Sequence, residues 1–156
     1  MATRSTIAVQ HADGTVSQVY CHWDGYLSHN GKLLFEHYSS LDKAEALVAL
    51  GDISSLKSTI GEKHPFDNPN KFGSDEYKAH EALYGHMTKY YARDRGDENS
   101  APAKYWNFEM YHLSGDRQEY DYIFRNGAWH VMSYASDNRL IPLSDAFQIE
   151  EANEAE

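Results

Sequence analysis

The sequence predicts an α+β domain. The expected core is a mostly antiparallel sheet of about five strands, two hairpins plus one further strand, with several helices packed on it. Three observations lead there. Asp13-Gly14 and Asn126-Gly127 each separate two β-prone runs, and such pairs suit tight hairpins because both positions tolerate positive φ. Between the hairpins, apolar residues recur at the three-to-four-residue spacing of helices. No strand–helix–strand unit repeats, and short connections favour antiparallel pairing.

Each element has its own signal. Residues 6–10 and 16–23 are the arms of the first hairpin. Alternation puts Val19, Cys21 and Trp23 on the core face and Tyr20, His22 and Asp24 on the other. Gly25 ends the strand. Residues 29–38 read as a short helix carrying Leu33, Leu34 and His37. Ser39 and Asp42 fit a capping box opening a second helix, with Leu41, Ala44, Leu47, Val48 and Leu50 apolar and Gly51 as its stop. Residues 52–56 read as a turn or short helix. The stretch 61–73, with Pro65 and Pro69, is a loop that Phe66 and Phe72 would tie down. Ser74 caps a helix to Tyr84 that turns Tyr77, His80, Leu83 and Tyr84 inward, and Gly85 ends it.

A strand is expected over 87–93 and a polar loop over 94–100. Residues 105–113 read as a short helix, since Trp106, Met110 and Leu113 stand at i, i+4 and i+7. Residues 118–125 and 128–134 form the second hairpin. The proline in Leu140-Ile141-Pro142-Leu143 confines that segment to an edge. Ser144 caps a last helix to Ile149. The domain is thus 1–149, and 150–156, with four Glu and no base, reads as a disordered acidic tail.

Composition narrows function. With 14 Lys+Arg against 24 Asp+Glu, the net charge is −10, the wrong sign for phosphate-driven nucleic-acid binding. An acidic surface can instead meet a basic partner, including a protein that itself binds nucleic acid. The one cysteine, with no apolar leader at the start, points to a cytosolic setting, and no run approaches the ~20 apolar residues of a membrane span.

Chemical motifs are sparse. Nine histidines suggest metal, but His29 and His37 are roughly 12 Å apart along a helix. No metal-ligand motif is present, and no cofactor is expected. Cys21 and His22, adjacent in a strand, point to opposite faces and cannot pair as nucleophile and base. Phosphate-loop glycine patterns are absent. Arg93-Asp94-Arg95-Gly96 is the nearest to an anion-reading loop. Joined by Tyr20, His22 and Trp23, it would make a pocket for a nucleotide-like ligand. The alternative is a solvated loop whose charges satisfy each other.

The run Val19-Tyr20-Cys21-His22-Trp23-Asp24-Gly25-Tyr26 concentrates aromatic and polar chemistry. With Thr6-Ile7-Ala8-Val9, Asp13-Gly14-Thr15-Val16, Leu33-Leu34, His37-Tyr38, Leu50-Gly51-Asp52-Ile53-Ser54-Ser55-Leu56 and Tyr91-Ala92-Arg93-Asp94-Arg95-Gly96, it resembles a widespread family of small phage and prophage proteins. The resemblance covers most of 5–56 and a patch near 90–96, and leaves 61–85 as an insertion. It implies a phage origin and transfers no activity.

The expected function is therefore that of a non-catalytic phage protein in the host bacterial cytoplasm, binding and inhibiting a bacterial defence or host protein. Tyr20, His22, Trp23, Asp24, Tyr26, Arg93 and Arg95 are the contact candidates, because interface hot spots favour Trp, Tyr and Arg. A second reading is a small-ligand binder that sequesters a nucleotide immune signal through Arg93 and Arg95. A third is a hydrolase using His22 and Asp24.

Overall fold

A computed structural model describes residues 2–154. The chain is α+β, built on one open sheet. Strands β1 (Ser5–Gln10), β2 (Val16–Cys21), β3 (Ile53–Ser55), β4 (Lys89–Tyr90), β5 (Ala103–Tyr105), β6 (Tyr120–Arg125), β7 (Ala128–Ser133) and β8 (Ile141–Pro142) lie in the order β4-β3-β2-β1-β6-β7-β8, with β5 also pairing β2. The sheet thus has eight strands rather than about five, and it is mixed rather than mostly antiparallel. β1 pairs β6 in parallel, and β2 pairs β3 in parallel.

Both hairpins form where the Gly pairs predict. Asn126 (φ 53°) and Gly127 (φ 80°) both take the left-handed conformation, as a two-residue type I′ turn requires. The first turn differs. Only Gly14 (φ 91°) is left-handed, and His11 N donates to Thr15 O, so three residues form the loop. Asp13 Oδ1 accepts from the Thr15 hydroxyl and amide and braces it.

The extra strands explain the mixed sheet. A π-type turn (Leu27–Gly31) leads into helix α1 (Lys32–His37), followed by α2 (Leu41–Ala49). These carry the chain from β2 across to β3, making a parallel crossover where 52–56 was expected to be a turn or short helix. Ser40, not Ser39, caps α2, accepting from Lys43 N. Ser39 Oγ instead donates to Phe35 O and closes α1. Gly51 (φ +93°) ends α2 in a conformation that favours glycine, and an added Cβ would lie 2.3 Å from Ser100 O.

Helix α3 (Asp75–Tyr84) starts at Ser74 as expected, yet buries none of its residues, and Leu83 stays 61% exposed. The expected strand over 87–93 is only β4. It is followed at once by α4 (Tyr91–Arg95), which takes the end of the expected strand and the start of the expected loop and ends on left-handed Gly96, leaving 96–100 as loop. Helix α5 (Phe108–Ser114) and α6 (Leu143–Glu154) complete the set. α6 continues past the expected end at Ile149, so 150–154 are helical, and 155–156 lie outside the described residues.

One face of the sheet carries the main core. Ile7, Val9, Val19, Cys21, Tyr122, Phe124, Trp129 and Val131 meet Leu34, Ala44, Leu47, Val48, Leu143 and Ala146 from α1, α2 and α6. The other face carries a smaller cluster of Ala8, Val16, Ile123 and Tyr111, with Phe108 and Tyr105 packed against it from α5 and β5. No helix among the described residues is long and apolar enough to cross a membrane.

Candidate binding surface

The 19–26 junction is first a structural joint. Cys21 is fully buried, and desolvation pushes its thiol up to about 11, which keeps it protonated. Asn30, also buried, donates to Trp23 O, Ser5 Oγ and Cys21 Sγ and so closes the bend from beneath. Asp24 turns the chain with φ 56°, and its carbonyl accepts from Asn30 N. Gly25 presses against β1, where a Cβ would meet Thr3 O and the Ser5 Cβ at 2.8 Å. Its carbonyl accepts from the buried Tyr122 hydroxyl at 2.6 Å. The density of unusual residue types at this bend is explained largely by these contacts.

Part of the junction still faces water. Trp23 is 43% exposed, contrary to the core position that alternation assigns it, because β2 ends at Cys21 and the chain bends away. Tyr26 is exposed as well. Tyr20 and His22 occupy the side of β2 opposite Cys21. The Tyr20 hydroxyl lies 2.7 Å from His22 Nδ1, and the His22 ring meets Trp23 edge-on at 4.7 Å. Desolvation raises the Tyr20 phenol, so it keeps its proton, and which group donates follows the His22 tautomer. Asp24 accepts from the Tyr26 hydroxyl at 3.4 Å, and no hydrogen bond joins it to His22 among the described residues. The result is a row of half-exposed rings on the sheet surface.

The two arginines are engaged elsewhere. Arg93 donates to Ile60 O and Thr88 O (both 2.9 Å), to Gly61 O and to both Asp94 oxygens, and it lies over Tyr90. Its guanidinium pins the 60–64 loop to β4. Buried Asp94 also accepts from Tyr90 N and His64 N, and the His64 ring sits 3.5 Å from it. Arg95 makes a bidentate pair with Asp97 (2.9 and 2.6 Å), sandwiched against Phe66 and Tyr91. The Arg93 fork is thus filled by the protein's own carbonyls and the Asp94 carboxylate, and Arg95 spends Nε and Nη2 on Asp97 while its side chain stays 49% exposed.

The most conspicuous surface lies on α5. Tyr111 points into the sheet and is fully buried, with Phe108 beside it under the Arg125 guanidinium at 3.5 Å. The helix expected over 105–113 begins only at Phe108, because Tyr105 is drawn into β5 and Asn107 caps the helix, so Met110 and Leu113 lie on the outer side of α5 while Trp106 stands in the bend before it. Trp106 is 80% exposed, Leu113 77% and Met110 44%. All three lie on or beside α5, which packs on the sheet face that carries Ala8, Val16 and Ile123. The sequence marked these three residues as one helix face, but the helix starts after Trp106. It did not reveal which side of the helix would be inward, because Tyr111 and Phe108 compete for the same role. Among the described residues no three His, Cys, Asp or Glu side chains gather into a metal-holding group. Comparison with protein-family models, curated proteins and solved structures gives no match to this chain.

Proposed function

We propose that this protein acts by binding another protein, a basic defence or host factor of a bacterium, and inhibits it by covering its working surface. The observation that carries this reading is the exposed Trp106–Met110–Leu113 patch. Three large apolar side chains exposed within eight residues of chain, Trp106 before α5 and Met110 and Leu113 on it, make a patch of the kind a protein partner covers, and Trp is a favoured hot-spot residue. Half-exposed Tyr20, His22 and Trp23 lie at and just past the end of β2, and Tyr26 lies beyond the bend, and they add to the candidate contacts.

Charge selects the partner. A net charge of −10 opposes stacking a second copy onto the patch and favours a basic protein, including one that handles nucleic acid. The resemblance to small phage and prophage proteins supports a bacterial host as the setting. A nucleotide-signal binder is less well supported, since Arg93 and Arg95 are already paired.

The test is capture from expressing bacteria with the wild-type chain and with a Trp106→Ala/Leu113→Glu variant, followed by mass spectrometry of proteins and small molecules. The expected result is one basic protein enriched by the wild type and lost with the variant. Equal enrichment by both, or recovery of a nucleotide without a protein, overturns the reading.

A further inference from the structure

We propose that Ser17, His11 and Glu45 form a serine-nucleophile site able to hydrolyse activated esters, at the opposite end of β2 from the 19–26 junction. His11 Nε2 lies 2.8 Å from Ser17 Oγ, and His11 Nδ1 lies 2.5 Å from Glu45 Oε2. An ionised carboxylate only accepts, so the neutral ring carries its proton on Nδ1 and turns the Nε2 lone pair to the serine hydroxyl. That is the order of roles in a nucleophile–base–orienter relay, which is recognised by geometry rather than by sequence order.

Three separate elements set the relay. Ser17 is held in the β2 ladder opposite Val9, and Glu45 stands on α2. His11 begins the first turn, with its amide bound to Thr15 O and its carbonyl to Gly14 N. The imidazole is therefore fixed from both of its ring nitrogens and from its backbone. A histidine that only satisfied a buried serine would need no carboxylate behind it. Here the His11 and Glu45 side chains are 28% and 36% exposed while Ser17 is 8% exposed, so the relay meets solvent at its histidine–glutamate end and the serine lies at its inner end.

A groove reaches the nucleophile. His11, Val16, Ser17, Lys104, Tyr105 and Trp106 line a cleft of about 450 Å³. Lys104 is the direct cross-strand partner of Ser17, so its side chain leaves the ladder on the serine's side and can supply positive charge to a developing oxyanion. Val16 and Tyr105, paired one step along the ladder, turn to the smaller cluster on the other sheet face, so the substrate side of the cleft beside Ser17 is set by His11 and Lys104.

The reaction balances with water alone. Ser17 Oγ attacks the ester carbonyl carbon as its proton passes to His11 Nε2. The tetrahedral adduct collapses, the carbon–alkoxy bond breaks, and the alcohol leaves with the proton from His11. Water then attacks the acyl-serine and gives one proton to His11. The carbon–Oγ bond breaks, and that proton returns to Ser17. The net change is ester plus water to acid plus alcohol.

The test uses the full chain with a fluorophosphonate probe and p-nitrophenyl butyrate. Intact-mass and peptide analysis is expected to place one phosphonyl group on Ser17, and ester turnover is expected in the same sample. Ser17→Ala loses both, and His11→Gln slows labelling roughly 100-fold, the scale of a lost general base. Thermal melting of each variant separates loss of chemistry from loss of fold. A wild-type chain that takes no label, or a Ser17→Ala chain that labels and turns over equally, overturns the proposal without reference to any variant's stability.

Discussion

Asp121 is the residue whose chemistry is most at odds with its place. It sits in the middle of the sheet at 2% exposure and accepts from the Thr6 hydroxyl at 2.7 Å and from Gln118 N. No cation pairs with it directly among the described residues. Burial outweighs those hydrogen bonds and pushes its carboxyl up to about 6, from an ordinary value of 3.8. The raised value means that the folded state holds the proton more tightly than the unfolded chain. The stabilisation is complete below about pH 4 and is lost as pH rises through about 6. Its size is on the order of 3 kcal/mol. Chemical denaturation from pH 4 to 7 should therefore show the wild type losing stability relative to Asp121→Asn, with the difference levelling above pH 6. Gly25 gives a second expectation at this scale. A Cβ there collides with Thr3 O and Ser5, so Gly25→Ala should cost about 1–3 kcal/mol, read from the denaturation midpoint. A glycine so placed was legible as a strand breaker, but its contact with β1 was not, because that contact spans twenty residues of chain.

At the scale of elements, the sequence reveals those whose signal is local. Asn126-Gly127 forms its own turn, Ser74 caps α3, and Gly51 stops α2, each through groups within a few residues. The elements misread are those decided by distant partners. β3 and β4 have only three and two residues, and each exists because a neighbouring strand completes it. The 91–95 segment looks like the end of a strand in sequence. It becomes α4 because Asp94 turns back to accept from Tyr90 N at 2.8 Å and is held there by Arg93 and His64. Residue type alone does not show that three backbone carbonyls claim Arg93, so the sequence offers it as a ligand-facing side chain. This gives a clear expectation. Arg93→Ala should destabilise the protein by about 2–3 kcal/mol, the scale of charged hydrogen bonds lost inside a folded loop, and hydrogen exchange should speed first over 60–64 and 88–94. The Ser17–His11–Glu45 set shows the same limit in another form. Its members are spread from β2 to α2, and nothing in their spacing announces that they meet.

For the molecule as a whole, the two sheet faces have different tasks. One face is sealed by α1, α2 and α6, where burial of Leu34, Leu47, Val48 and Leu143 supplies the main apolar stabilisation. The other face is only half covered. There α5 turns Tyr111 inward, and Trp106, Met110 and Leu113 stay outside. Substitutions on that patch should leave folding intact, so Trp106→Ala and Leu113→Glu should shift stability by no more than about 0.5 kcal/mol. Long-range charge adds a further expectation. With a net charge of −10, association with a basic partner should slow and weaken as salt rises, because screening removes the steering field.

The measurement that bears most directly on the central claim is a calorimetric titration of the captured basic protein with the wild-type chain and with Trp106→Ala/Leu113→Glu, beside thermal melts of both. Binding is expected to be about 30-fold weaker or more in the variant, as loss of an interface hot spot implies, with unchanged melting. Equal affinity of the two chains would contradict it.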